Sequence, residues 1–232
     1  MLPIKDTIRA RTFPIVNWAL IIVNVLVFMF EISMSEDSLN RFIFTWGLVP
    51  SQLNPAQPFS FVPFLSHMFL HGGWLHIISN MWILLIFGDN VEDRIGSLRY
   101  LIFYIAGGIA SGVIQTLTSG LASNVPAIGA SGAIAAVLGA YFVFYPRARV
   151  LTLIPIFIIP WMVNIPAILY LGVWFITQLF QGVMALSSTA AAGGIAWWAH
   201  IGGFLFGLIL AYPFTLGRRP APQWHPDEYW PY

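Results

Sequence analysis

Six stretches of this chain are apolar over the length of a membrane-crossing helix or close to it: Pro14–Ile32, His76–Val91, Leu98–Leu117, Ser131–Tyr145, Val163–Leu186 and Ala196–Leu216. A helix needs about 20 mostly apolar residues to traverse a hydrocarbon core about 30 Å thick. Charged residues are only 8% of the chain, against roughly a quarter in water-soluble domains. So few charges cannot cover a soluble surface, so the solvent implied is lipid. The first apolar run lacks a small-x-small exit and reads as a retained span rather than a cleaved signal.

The basic residues orient these spans. Lys5, Arg9 and Arg11 precede the first; Arg94 and Arg99 lie between the second and third; Arg147 and Arg149 follow the fourth; Arg218 and Arg219 follow the sixth. Of ten Lys and Arg residues, only Arg41 falls in a loop on the other side. By the positive-inside rule this alternation predicts an all-α integral membrane protein of six spans with both termini cytoplasmic. The expected organisation is a short N-terminal segment (1–13), one bundle (14–216) with a long outer loop (33–75), and a cytoplasmic tail (217–232). The apolar run Val150–Pro160 is broken by Pro155 and Pro160 and is expected to be an interfacial or re-entrant connection.

Polar side chains inside spans are costly and therefore candidates for function. Counted from the inner helix ends at 1.5 Å per residue, Ser131 lies about 22 Å up, His200 about 20 Å, His76 about 24 Å and Asn80 about 18 Å. All four fall in the outer half of the membrane. Small residues say which helices meet: Ser131, Ala135 and Gly139 recur every four positions on the fourth span, and Gly203, Gly207 and Ala211 on the sixth. Such ridges let backbones approach closely, and their contact would bring Ser131 beside His200.

That pairing suits acyl transfer, because a neutral imidazole can take the proton of a serine hydroxyl near pH 7. Gly129 and Gly132 flank the helix-opening Ala130–Ser131 and leave room for a substrate backbone. A helix N-terminus offers free N–H groups to a developing oxyanion. His76 and Asn80, four apart, can both donate to one point. Apart from Glu31 at the end of the first span, the outer half of the spans holds no Asp or Glu to complete a triad, so the expected unit is a Ser–His dyad. No cysteine is present for a thiolate nucleophile or metal site, and no basic stripe suits nucleic acid. His67 and His71 could share a metal, but no third ligand or His-Glu-x-x-His accompanies them.

The four elements Gly129-Ala130-Ser131-Gly132, Ala199-His200-Ile201-Gly202-Gly203 with Gly207, His71-Gly72-Gly73-Trp74-Leu75-His76-Ile77-Ile78-Ser79-Asn80-Met81, and Val91-Glu92-Asp93-Arg94-Ile95-Gly96 resemble the rhomboid intramembrane serine proteases. The resemblance covers most of residues 60–212. It implies Ser131 as nucleophile, His200 as general base, and His76 and Asn80 with the Ser131 N–H as oxyanion donors. It implies structural roles for Glu92 and Arg94 and an outer-loop role for His71. It implies no cofactor, and transmembrane segments of other proteins as substrates within the bilayer.

Two positions depart from the family pattern. Val62-Pro63 stands where many members have Trp-Arg, and Ala135 where some have a tyrosine stacking on the histidine. Tyr141, Trp197 and Trp198 are the alternatives considered for restraining His200. A silent relative that binds client membrane proteins is the runner-up. A transporter is disfavoured because neither repeats nor mid-depth broken helices are visible. The short termini lean towards a prokaryotic plasma membrane.

Overall fold

A computed structural model describes residues 1–156, 159–187 and 196–217. Arg218, Arg219 and the rest of the tail beyond Gly217 therefore lie outside the described residues. The helices are α1 (Ile15–Ile32), α2 (Glu36–Trp46), α3 (Pro63–Ser66), α4 (Trp74–Ile95), α5 (Ser97–Ser119), α6 (Ser131–Phe144), α7 (Ala167–Ser187) and α8 (Trp197–Leu210). Helices α1, α4, α5 and α7 are long and apolar enough to cross a membrane; α6 and α8 are shorter apolar helices.

Helix α6 stands in the middle, touching α4, α5, α7 and α8. Ten consecutive residues of it, Gly132–Tyr141, are buried, so it needs little length to face lipid. Its contact with α8 is backbone on backbone. A Cβ added to Gly203 would fall on the Gly132 carbonyl oxygen, one on Gly207 on the Ala136 carbonyl oxygen, and one on Gly139 on the Phe204 carbonyl oxygen. The two small-residue ridges thus meet as the sequence suggests. Gly132 also faces α5, where its added Cβ would overlap Ser111 Oγ. Gly207→Ala should force α6 and α8 apart, at a cost of about 1–3 kcal/mol. Thermal unfolding in detergent, with Gly172→Ala (open space around Gly172) as the control, checks this.

The connection after α6 is built of two paired strands, β2 (Arg149–Ile156) and β3 (Ile159–Pro166), in an antiparallel hairpin. The N-terminal residues Leu2–Asp6, strand β1, add a third strand in the order β1-β2-β3. Pro155 and Pro160 face one another towards the end of the paired strands. There β2 has passed the end of β1, which pairs no further than Leu153, so the missing N–H groups break no bond of the central strand. Val163–Pro166, placed in the fifth span by hydropathy, belongs to β3, and helix α7 begins only at Ala167.

Strand β1 is locked to the bundle by side chains. Tyr141 Oη and Asn90 Nδ2 both donate to Asp6 Oδ2, and Trp82 Nε1 donates to the Pro3 carbonyl. Burial pushes the Asp6 carboxyl up to about 8, with the nearby Asp89 acting in the same direction and the Tyr141 hydrogen bond opposing them. Between about pH 4 and pH 8 the folded state therefore binds a proton that the unfolded chain has released, and stability falls as pH rises through that window. Asp6→Asn, neutral throughout, should flatten this part of the profile of unfolding temperature against pH.

The segment 33–75 holds α2, α3 and several short turns. Its anchoring uses no Trp-Arg pair. Ser66 Oγ donates to the Trp46 carbonyl at 2.6 Å, Leu48 and Ala127 exchange backbone bonds, and Phe28 packs edge-on against Trp74.

Candidate active site

Each candidate side chain is set by a helix end. Ser131 opens α6 after a loop fixed from the segment 33–75: Gly129 N–H donates to the His67 carbonyl at 2.9 Å. His67 is buried and its Nδ1 bonds the Pro63 carbonyl at 2.7 Å; burial pushes its imidazole down to about 4, so it is neutral near pH 7. Its carbonyl holds this loop in place. At the start of α8 the Gln115 side chain of α5 accepts from the Ala199 N–H at 3.1 Å, supplying one of the partners a helix start lacks. His200 follows directly.

Ser131 Oγ and His200 Nε2 are 2.8 Å apart, and His200 Nδ1 lies 2.7 Å from Gln178 Oε1 on α7. The protonation pattern follows from who can donate. Gln178 Nε2 faces the Trp174 carbonyl at 3.3 Å, and a carbonyl only accepts, so the amide oxygen is the end turned to the imidazole. That oxygen also only accepts, so Nδ1 carries the hydrogen. Nε2 of the neutral ring is then the free lone pair, and it accepts the Ser131 hydroxyl proton.

The same reasoning orients His76. Its Nδ1 accepts from the Gly72 N–H at 3.2 Å, so Nε2 bears the hydrogen. An ideal Cβ on Gly129 would sit 2.6 Å from that Nε2 and 3.7 Å from Ser131 Oγ. The His76 donor therefore points into the corner beside the serine. Gly129 has φ +121°, a conformation that leaves room for the ring and suits only glycine. One turn along α4, Asn80 is 7% exposed, and its amide nitrogen has no acceptor among the described residues. A buried donor without a partner is unusual; here it shares a helix face with His76.

The ring of His200 is held by Trp174 (centroids 6.0 Å, tilted by 34°) and by the edge of Trp197 (6.2 Å). Of Tyr141, Trp197 and Trp198, Trp197 is the one that meets the ring in this way. Tyr141 lies at the other end of α6, on Asp6, and Trp198 borders Gly182. Ala135 is fully buried, its Cβ 3.1 Å from the position a Cβ on Gly203 would take. A tyrosine there would collide with α8, so the restraint comes instead from Trp174 on α7 and from Trp197 at the start of α8.

The rest of the polar set is structural. Glu92, buried, accepts from the Val16 and Asn17 N–H groups at 3.1 and 2.7 Å and from Ser97 Oγ at 2.6 Å, capping α1. Arg94 lies over the Phe144 ring at 5.6 Å. Asn17 accepts from Tyr100 Oη and donates to the Leu84 carbonyl, tying α1 to α5 and α4. His71 takes Glu31 carboxylate contacts at its N–H and stacks edge-on against His76 at 5.0 Å.

A family model for the rhomboid domain matches residues 58–217, which include every residue of this site. The chain belongs to the rhomboid family. Among its relatives are the mitochondrial presenilin-associated rhomboid-like proteins of Mus musculus (28% identical, over 74% of this chain and 44% of the relative) and Homo sapiens (26%, 89% and 51%). RHOMBOID-like protein 4 of Arabidopsis thaliana is 32% identical over 69% of this chain and 35% of that protein. The chain thus spans about half or less of the length of these relatives. They come from animals and a plant, the animal ones being named as mitochondrial, and they lend no support to a prokaryotic plasma membrane. Rhomboid membership and the apolar helices make this a multi-pass membrane protein.

Proposed function

We propose that this rhomboid-family chain is an intramembrane serine endopeptidase that cuts transmembrane segments of other membrane proteins near the outer face. The observation that carries the reading is the 2.8 Å contact of Ser131 Oγ with His200 Nε2, the other ring nitrogen lying 2.7 Å from the Gln178 amide oxygen. Ser131 attacks the scissile carbonyl as its proton passes to His200. His76, Asn80 and the N–H groups at the start of α6 stabilise the oxyanion, and the imidazolium then protonates the leaving amine. Water hydrolyses the acyl-enzyme by the reverse roles. The chemistry calls for no cofactor.

The reading includes six spans with both termini cytoplasmic, supported by the distribution of basic residues. It also includes a preference for substrate helices weakened by Gly or Pro, since a helix must open before its carbonyls can be attacked.

The test is cleavage of a single-span reporter in proteoliposomes without added metal, together with labelling by a fluorophosphonate. Cleavage, with label found at Ser131, supports the protease. A reporter that binds but is neither cut nor matched by label at Ser131 would make the chain a silent client-binding relative.

A further inference from the structure

We infer that Gln178 is a positioning residue for His200, the third member of a Ser131–His200–Gln178 relay in which an amide stands where an acid would be expected. The inference rests on the protease reading above. It concerns a residue that none of the recognisable sequence motifs contains.

Gln178 is 6% exposed and sits on α7, away from the α6–α8 contact that holds the serine and histidine. Its amide is held at both ends: Nε2 against the Trp174 carbonyl and Thr177 Oγ1, both at 3.3 Å, and Oε1 on His200 Nδ1 at 2.7 Å. The short contact is the one to the histidine. Without that acceptor Nδ1–H would be a buried donor with no partner, and the ring would gain by placing its hydrogen on Nε2. The Nε2–H form cannot take the serine proton. Gln178 therefore selects the competent tautomer before substrate arrives and keeps accepting from Nδ1–H once the ring is an imidazolium. Being neutral, it does so without placing an ion in the bilayer, which would be costly. Trp174 contributes twice, as the amide's anchor and as the ring lying over His200.

Among the described residues, the titratable side chain that acts on His200 is His76 of α4, across Ser131; Trp174, Gln178 and Trp197 also border its ring. A change made at Gln178 should therefore be legible in the pH profile.

Three measurements on the full chain in lipid test the proposal. In 15N-histidine-labelled protein, His200, assigned by its absence in His200→Ala, should appear in the Nδ1–H form. Gln178→Met, similar in size but without an acceptor, should mix the tautomers and lower kcat about 10- to 100-fold with KM little changed. Gln178→Glu restores an acceptor: it should recover cleavage relative to Met and move the acid limb of kcat/KM up by about one pH unit. The proposal is overturned if native His200 carries its hydrogen on Nε2, if folded Gln178→Met keeps native kcat, or if the Glu variant neither recovers activity nor shifts the limb. Failure of the protease reading looks different: the native chain would neither cut nor label at Ser131, while the 15N spectrum would still report the tautomer.

Discussion

Ser131→Ala and His200→Ala should each lower the single-turnover rate of reporter cleavage by about 10^4- to 10^6-fold, and the double variant should be no slower than the worse single one. A nucleophile and its base act as a unit, so the loss of either removes the same step. What survives comes from binding and from the oxyanion donors, which leave a residual catalysis of about 10^3- to 10^4-fold over water in such sites. The 2.8 Å contact makes this non-additivity specific to the pair. Measured in proteoliposomes on one reporter, a double variant that lost the product of the two factors would mean the residues act separately.

The next largest effect is expected at Asn80. Asn80→Ala should lower kcat about 10^2- to 10^3-fold, the cost of removing one oxyanion donor, while KM stays close to native. Its distinguishing mark is thermal stability. The amide nitrogen of Asn80 is buried without an acceptor among the described residues, so folding already bears the cost of that idle donor. Removing it takes away a burden along with some packing, and the unfolding temperature should change little. A structural asparagine would behave in the opposite way, losing stability and rate together. Unfolding temperature and kcat measured on the same preparation separate the two.

The sequence shows the helices best where spacing carries the information. Gly203 and Gly207 announce the α6–α8 contact because a missing side chain at every fourth residue is itself the packing surface. Ser131, His200, His76 and Asn80 stand out because polar groups are rare in apolar runs. The β2–β3 hairpin was hidden by its prolines, which read as helix breakers until Pro155 and Pro160 are seen opposite one another. Strand β1 was hidden by distance: Leu2 pairs with Leu153, and five residues carry no pattern that names so remote a partner.

Gln178 was visible as a polar side chain within a span. Its meaning, however, depends on which face α7 turns to α8, and no ridge of small residues on α7 fixes that. Trp174 was missed for the same reason. The missing tyrosine at Ala135 was the one hint that the imidazole must be held from another side.

The capping of α1 by Glu92 has a consequence for biosynthesis. A nascent chain emerges N-terminus first, and when Ile32 has been made Glu92 is still about 60 residues from synthesis. Until then the Val16 and Asn17 N–H groups lack the carboxylate that later accepts them, and that carboxylate is itself shared with Ser97 at the start of α5. Helix α1 thus receives its cap only after α4 has been made. Its final seating waits for the end of α4 and the start of α5.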